Sequence, residues 1–257
     1  MKVLVCETST LLGSVAVLEN GQLLAERKLF RQGSHSDTLN IFIDECLQEA
    51  QLSLADIDVF VSGVGPGSFT GLRISLNTIK TFGYIYNKPV WGGNSLYTLA
   101  YENASSVLNN SKTTLITSMI NAYKNMVYIA QYELQYSAQY ELKHTTQYEL
   151  QSSFTLVEKK APQVVRVQEL VSFLDQPSHL VGDGFLAYEN YLQKNLDPDR
   201  YFRSSDTQDY PTAATLGRLT ALPENQKLFQ SWHTLLPLYL RASEAEENQQ
   251  GIKYQAL

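Results

Sequence analysis

The order of hydrophobic and polar positions near the start of the chain predicts three strands. Lys2–Glu7 is a short apolar run, and the runs Ser14–Leu18 and Leu23–Phe30 lie on either side of the tetrapeptide ENGQ. Within that tetrapeptide, Asn20-Gly21 is typical of a tight turn between antiparallel strands. We therefore expect the second and third strands to form a hairpin.

Two amphipathic helices are predicted next, with a strand between them. Over Ser34–Gln51 apolar residues recur every three or four positions, which is typical of a helix that buries one face. Val59–Val64 is an apolar, strand-like run, and a second helix is expected from about Ser68 to Tyr86. The stripe of the second helix that we expect to face the sheet consists of Leu72, Leu76, Ile79, Gly83 and Tyr86.

The second half of the chain repeats this order of elements. VGPGSF (Val64–Phe69) and VGDGFL (Val181–Leu186) are both a strand end, a Gly-x-Gly turn and a helix start. Two copies of one unit predict two similar α/β lobes that face a cleft, although two such turns can also arise by chance. The other predicted elements are strand-like runs at Thr114–Met119, Met126–Tyr132 and up to about Val157, a helix at Val167–Leu174 and a strand at Ser178–Val181.

A repeated segment interrupts the second half. The tetrapeptide QYEL occurs three times between Gln131 and Leu150, eight residues apart, and apolar or tyrosine positions alternate there with polar ones. This alternation predicts strands that are buried on one face. The segment is too long for one strand of a small lobe, so we expect a turn near Ser137-Ala138 or His144–Thr146. It is interpreted either as a surface hairpin lengthened by duplication or as a recognition hairpin.

Composition and charge limit the classes of protein to consider. A chain of 257 residues with 44% hydrophobic residues can form one large or two small domains with a sizeable core. A net charge of -6 and a pI of about 5.3 argue against a chain that binds a nucleic-acid backbone alone. Cys6 and Cys46 lie in apolar segments and are expected to be buried thiols. No apolar run suits a signal peptide or a membrane span, so we expect a soluble cytoplasmic protein.

The glycine-rich stretch before the second helix raises the possibility of an anion site. Gly65 and Gly67 permit backbone angles that other residues resist, and Pro66 fixes its own φ. A helix N-terminus after such a turn can attract an anion. The stretch lacks the Lys of a Walker loop and the spacing of the dinucleotide fingerprint. We therefore interpret Gly65, Pro66, Gly67 and Gly71 as a structural turn.

Other chemical signals are sparse. The four histidines lack metal-ligand spacing, and no Gly-x-Ser-x-Gly elbow occurs. His35, beside two serines at a helix start, is expected to be a neighbour of the helix cap rather than a base. Asp183 lies at a strand end, where sites of α/β proteins gather, and is interpreted either as a turn residue or as a ligand contact.

Six stretches together resemble the TsaB (also called YeaZ) family. GVGPGSFTGLRIS looks like the glycine signature of this family, VCETST like its first strand and HSDTL like the start of its first helix. KPVWGGNSLYTLA is similar to its short strand and following helix, and VGDGF and LLPLYLR are similar to later motifs. The likeness covers nearly the whole chain in order, apart from the QYEL segment.

The resemblance implies a two-lobed α/β fold of the actin-like ATPase class (ASKHA, ribonuclease H-like), in which each lobe is a mixed sheet with helices. We expect one lobe over residues 1–105 and the other over residues 106–257. The second lobe would carry the QYEL hairpin as an insertion at residues 131–150. The last helix or tail of the chain could pack back against the first lobe.

The resemblance also implies a role in forming threonylcarbamoyladenosine next to the anticodon of tRNAs. In that system TsaD performs the transfer, TsaB is its non-catalytic paralogue and partner, and a small ATPase, TsaE, joins them. The tRNA is then contacted only through the complex, and the chain alone can form a homodimer. The alternatives are a glycoprotease-like metallopeptidase and a nucleotide-binding module without catalysis.

Several positions depart from what catalysis would need. TsaD carries a metal-binding His-x-x-x-His where this chain is expected to have Ser95 and Leu99, so we expect no metal and no catalytic residue. Glu7 replaces the Asp of the family's first strand, and Asn121–Tyr123 is NAY where DAR is usual, which argues against ATP hydrolysis. We expect no cofactor, with ATP or ADP as the weaker alternative. The residues that would line a nucleotide pocket are Glu7, Thr8, Ser9, Gly182, Asp183 and Gly184.

The two amphipathic helices of the first lobe are expected to present a surface for a partner. On the second helix a mixed polar stripe should be exposed in the isolated chain, with arginine and tyrosine as anchors. The residues expected in this interface are His35, Ile41, Arg73, Asn77, Lys80 and Tyr84.

Overall fold

Two five-stranded mixed sheets carry the fold. The computed structural model describes residues 1–30, 36–110, 113–142 and 148–242, together with Glu246 and Gln249. The strands of the first sheet are β1 (Lys2–Glu7), β2 (Leu12–Glu19), β3 (Gln22–Phe30), β4 (Val59–Gly65) and β5 (Val90–Asn94). Those of the second sheet are β6 (Leu115–Asn121), β7 (Met126–Leu142), β8 (Tyr148–Arg166), β9 (Ser178–Val181) and β10 (Tyr201–Phe202).

Both sheets have the same strand order. The order is β3-β2-β1-β4-β5 in the first sheet and β8-β7-β6-β9-β10 in the second. In the first sheet β1 and β3 are antiparallel to β2, and β4 is parallel to β1. In the second sheet β6 and β8 are antiparallel to β7, and β9 is parallel to β6. Asn20 and Gly21, both at positive φ, join β2 to β3 as predicted. The predicted duplication of one α/β unit is therefore confirmed.

Helices cover both faces of each sheet. They are α1 (Ser36–Glu49), α2 (Phe69–Ile85), α3 (Ser95–Asn110), α4 (Leu170–Phe173), α5 (Asp183–Asn195), α6 (Ala213–Leu219) and α7 (Pro223–Gln226). α1 and α2 pack on one face of the first sheet, and α6 packs on the other. α3 and α5 occupy opposite faces of the second sheet. Within the described part of the chain, no helix has both the length and the hydrophobicity to cross a membrane.

The sequence of α2 accounts for its position. Leu72, Leu76 and Ile79 recur at helical spacing and are buried in the core of the first lobe, as predicted. The hydroxyl of Ser68, the N-cap, accepts a hydrogen bond from the N–H of Gly71 at 3.2 Å. This bond satisfies one of the N–H groups that the first turn of a helix leaves without a partner.

The QYEL segment lies in a longer hairpin than predicted. β7 and β8 pair from end to end, so the strand expected to finish near Val157 continues to Arg166. The predicted turn at Ser137-Ala138 is wrong, because both residues lie in β7 and pair with residues of β8. The polar–apolar alternation continues through this dipeptide, and no Gly or Pro interrupts it. The alternative turn at His144–Thr146 lies outside the described residues.

The C-terminal strap (residues 230–241) runs along the first lobe and reaches the second. Its backbone bonds to β4 and to the edge strand β5. Leu235 is buried in the core that α2 also covers. At the far end, the guanidinium of Arg241 donates to the carbonyl oxygen of Ala122, just after β6. α6 and the strap thus return to the first lobe, and the boundary near residue 105 stays a prediction.

Leu76→Ala is expected to destabilise the protein by roughly 2–5 kcal/mol, because it empties part of the core between α2 and the sheet. The free energy of unfolding, measured by chemical denaturation, checks this. Leu228→Ala is the matched control, since Leu228 is exposed, and it should change that free energy by no more than about 0.5 kcal/mol. Equal effects of the two substitutions would contradict the assigned packing of α2.

Candidate functional site between the two lobes

The glycine turn before α2 is seated directly on the loop after β1. A Cβ at Gly67 would lie 2.2 Å from the carbonyl oxygen of Ser9, and one at Gly71 would lie 2.0 Å from that of Thr8. The N–H of Ser68 donates to Ser9 O at 2.7 Å, and the hydroxyl of Thr8 donates to Gly71 O at 2.7 Å. Glycine is needed here because no side chain fits between the two backbones.

Glu7 at the end of β1 is completely buried. Its Oε1 accepts from the N–H of Ser9 at 2.7 Å, and its Oε2 accepts from the hydroxyl of Ser95 at 3.1 Å. A Cβ at Gly63 would lie 2.0 Å from Oε2, so β4 also closes over the carboxyl group. Burial raises the pKa of Glu7, and the hydrogen bonds oppose that rise only in part. Glu7 therefore fastens β1, β4 and the start of α3 together.

The second glycine turn is closed in a similar way. Gly182 has a φ of +112°, and a Cβ there would lie 2.0 Å from the carbonyl oxygen of Met119 on β6. The N–H of Gly182 donates to Asp209 Oδ1 at 2.9 Å. Arg203 donates to both carboxylate oxygens of Asp209, at 2.9 and 2.8 Å, and so holds that acceptor in place.

Asp183, the first residue of α5, is nearly buried. Its Oδ1 accepts from the N–H of Asn121, at the end of β6, at 2.9 Å. Burial raises the pKa of Asp183 to about 6, and the neighbouring carboxylate of Asp209 acts in the same direction. Asp183 thus joins α5 to β6 as Glu7 joins α3 to β1.

The predicted nucleotide residues therefore form two separate groups, each packed within its own lobe. Glu7, Thr8 and Ser9 lie under the start of α2, and Gly182 to Gly184 lie against β6. The close backbone contacts leave no room for a phosphate between Gly67 and Ser9 or between Gly182 and Met119. Nucleotide binding by these residues stays a prediction.

The two positions at which TsaD was expected to hold histidines are both buried. Ser95 begins α3 and donates its hydroxyl to Glu7. Leu99, one turn later, packs beside Gly182. Among the described residues, no group of three or more His, Cys, Asp or Glu side chains is arranged to hold a metal ion.

The predicted partner surface is partly covered by the strap. Ile41 on α1 and Tyr84 on α2 are 53% and 66% exposed, and Asn77 is also exposed. Lys80 was expected to be free, but it is half-buried and donates to the carbonyl oxygen of Leu235 at 3.0 Å. This bond gives a donor to a carbonyl group that lies outside the strand ladders.

Arg73 and Tyr84 of that surface also contact the strap. Arg73 is exposed, but its Nε donates to the hydroxyl of Tyr239 at 3.3 Å and its guanidinium lies 3.9 Å from the centre of the Phe69 ring. Tyr84 meets the ring of Trp232 edge to face. His35 lies outside the described residues. The family-like stretch LLPLYLR contains Tyr239, so it was a sequence signal for the contact of Arg73, but it does not include Trp232.

A cavity of about 580 Å³ lies between the lobes, beside the glycine turn. Its walls are the glycine turn with the start of α2 (residues 67–73), the turn after β6 (residues 121–124) and the end of the strap with the residue after it (residues 238–242). The sequence did not predict this cavity, because its three walls are distant in the chain and the glycine turn in one of them was interpreted as structural.

Comparison with known proteins identifies the family. A model of the family described as "TsaD: tRNA N6-adenosine threonylcarbamoyltransferase" matches residues 30–249. The chain is 25% identical over 251 residues to the tRNA threonylcarbamoyladenosine biosynthesis protein TsaB of Bacillus subtilis, covering 96% of each chain. It is 27% identical over 242 residues to the protein of the same name from Haemophilus influenzae, covering 94% of each. The chain belongs to the family that this model describes, in its TsaB (YeaZ) branch.

A solved structure supports the same assignment at the level of the fold. YeaZ from Pseudomonas aeruginosa matches with a TM-score of 0.67 at 22% identity, covering 93% of this chain and 99% of that one. The two α/β lobes with duplicated strand order, which were expected, are thus a fold that this chain shares with that structure. The TsaB family is involved in the biosynthesis of threonylcarbamoyladenosine in tRNA, as the names of its curated members state.

Asp183→Asn is expected to be more stable than the wild type at neutral pH, and its free energy of unfolding should depend less on pH. A carboxyl group whose pKa is raised by folding contributes stability below its ordinary pKa of 3.8, and that contribution is lost as the pH rises through about 6. The difference between these two pKa values corresponds to roughly 3 kcal/mol of folding stability. The Asn side chain keeps an oxygen that can accept the hydrogen bond from the N–H of Asn121. Unfolding free energies measured between pH 4 and pH 8 check the expectation.

Asp175→Asn is the control for that series. Lys160 donates to Asp175 and lowers the pKa of its carboxyl group, so its contribution is present above its ordinary pKa and is lost as the pH falls. Between pH 4 and pH 8 that contribution is constant, so Asp175→Asn should leave the pH dependence of stability nearly unchanged, whereas Asp183→Asn should change it. A profile for Asp183→Asn parallel to that of the wild type would contradict the assigned environment of Asp183.

Proposed function

We propose that this chain is a non-catalytic subunit that docks a TsaD-like paralogue and supports formation of threonylcarbamoyladenosine next to the anticodon of tRNAs. A TsaE-like ATPase joins the assembly, and the tRNA is contacted through the complex. The observation that carries the proposal is the packing at Ser95 and Leu99, the positions where the transferase is expected to hold its metal. In this chain both side chains fasten the fold.

The polar groups of the first lobe also support a structural role. Glu7 has no exposed surface, and the glycine turn closes the loop that follows it. A carboxyl group in such a position cannot reach a substrate in solution without moving α2. Its hydrogen bonds to Ser9 and Ser95 are instead suited to holding strand ends together.

The exposed side of α1 and α2 supports docking. The two helices pack side by side on one face of the first sheet, and their outer surface carries Ile41, Tyr84 and Ile85, each more than half exposed. Exposed aliphatic and aromatic residues beside polar ones such as Asn77 are typical of the centre of a protein interface. The same surface would serve the homodimer when the paralogue is absent.

The docking surface can be tested with Ile41→Ala combined with Tyr84→Ala. We expect this variant to weaken association with the TsaD-like paralogue from the same genome about tenfold or more, because truncation of an interface anchor costs on the order of 2 kcal/mol. Association is measured by calorimetric titration of the two purified proteins. Leu186→Ala, which truncates an exposed residue of α5 in the second lobe, should bind like the wild type. Unchanged binding by the double variant would place the interface elsewhere.

The non-catalytic role can be tested with Glu7→Gln and Asp183→Asn. Both substitutions keep the shape of the side chain and remove its ability to act as a base. We expect either variant, mixed with the paralogue and the ATPase, to support threonylcarbamoyladenosine formation at the wild-type rate, as measured by nucleoside analysis of the tRNA. A loss of more than about a hundredfold in a folded variant would instead indicate general acid–base catalysis by this chain.

A further inference from the structure

We propose that the outer half of the β7–β8 hairpin is a pairing surface at which two copies of this chain associate face to face. This hairpin arm consists of residues 137–142 of β7 and residues 148–153 of β8. It contains parts of all three QYEL repeats or directly continues them. The proposal does not rest on the docking surface of α1 and α2, because the arm belongs to the second sheet.

The arm continues the second sheet beyond the point where the rest of the lobe ends. β6 pairs with β7 only as far as Glu133, and the N–H of Leu134 then donates to the carbonyl oxygen of Thr114 at 2.8 Å. α3, which packs on this face of the sheet, ends at Asn110, close to Thr114 in the chain. From Ser137 onward the described ladder therefore has two strands, and the arm extends about 20 Å.

One face of the arm carries apolar residues and the other carries polar ones. Successive residues of a strand alternate between the two faces, so the arm continues the face on which Leu134 and Leu156 are buried. The arm residues on this face are Ala138, Tyr140, Leu142, Tyr148, Leu150 and Ser152. A two-stranded ribbon is at best marginally stable in water by itself, so the arm gains stability when its apolar face is covered.

The pairing within the arm makes its apolar face complementary to a second copy of itself. Tyr140 pairs with Leu150 and Leu142 pairs with Tyr148, so both strands carry the same Tyr-x-Leu triplet in opposite directions. A two-fold rotation about an axis in the plane of the face, along or across the strands, then brings every tyrosine opposite a leucine of the second copy. Large side chains that face smaller ones fill the space between two packed sheets. A two-fold contact uses the same residues on both copies, as this face allows.

The area of the face is sufficient for a specific contact between two copies. A tyrosine buries about 150–250 Å², so the four tyrosine rings of two copies come close to the roughly 1,000 Å² in total that a specific interface needs. Leu142 and Leu150 of each copy contribute the remainder. No charged residue lies on this face, so the contact buries no carboxylate.

The charges of the arm argue against a nucleic acid as the occupant. Glu141 and Glu149 pair directly with each other on the polar face, and the arm contains no lysine or arginine. Binding of a nucleic-acid backbone rests on clustered cations. The arm is therefore suited to an uncharged protein surface, and its own apolar face in a second copy is one.

The test uses the full-length chain with Ile41→Ala and Tyr84→Ala, so that the docking surface of α1 and α2 does not hold the copies together. We expect this background to dimerise with a dissociation constant of about 100 μM or below, measured by sedimentation velocity over a series of concentrations. Adding Tyr140→Thr with Leu150→Thr should raise that constant about tenfold or more, because each substitution removes an anchor from both copies. Threonine keeps the preference of these positions for a strand.

The control is Gln139→Thr with Gln151→Thr in the same background. These two residues pair with each other beside Tyr140 and Leu150 but on the polar face, so the control should dimerise like the background. Thermal melts verify that each variant is folded. The proposal is overturned if the background stays monomeric throughout the concentration series, whether or not the arm then binds the TsaD-like paralogue. It is also overturned if both double variants behave alike, because pairing through strand edges or another surface does not depend on these side chains.

Discussion

The contact between the glycine turn and the loop after β1 is the constraint on which the rest of the first lobe depends. Gly67 and Gly71 lie directly against the carbonyl groups of Ser9 and Thr8. This contact fixes where α2 begins and therefore which of its faces meets the sheet. The same contact covers Glu7 and forms one edge of the cavity between the lobes.

The two lobes hold their Gly-x-Gly turns in place with different contacts. In each lobe a Gly-x-Gly turn follows a strand and leads into a helix. In the first lobe the turn is held by backbone contacts with the loop after β1, whereas in the second Asp209 and Arg203 hold Gly182 from outside the turn. Duplicated units can thus keep their strand order while their polar contacts diverge.

Periodicity and turn chemistry were sufficient to predict the sheets but not the site. The alternation around Asn20-Gly21 and the apolar stripe of α2 gave the correct elements, because local sequence determines hairpin turns and buried helix faces. The prediction of a turn at Ser137-Ala138 was wrong, because no Gly, Pro or Asn favours a turn there. The role of Lys80 and the position of Arg241 depend on the path of the strap, because Lys80 bonds to Leu235 and Arg241 bonds to Ala122, each more than a hundred residues away in the chain. Such long-range contacts leave no periodic trace in the sequence.

The return of α6 and the strap to the first lobe has a consequence for synthesis. β1 to β5 leave the ribosome early, but one face of their sheet stays uncovered until α6 is made, and the core under α2 lacks Leu235 until the strap follows. At ordinary rates of translation this interval lasts on the order of ten seconds. The half of the molecule that is made first is therefore finished last, and a nascent chain exposes apolar strands that a chaperone can bind.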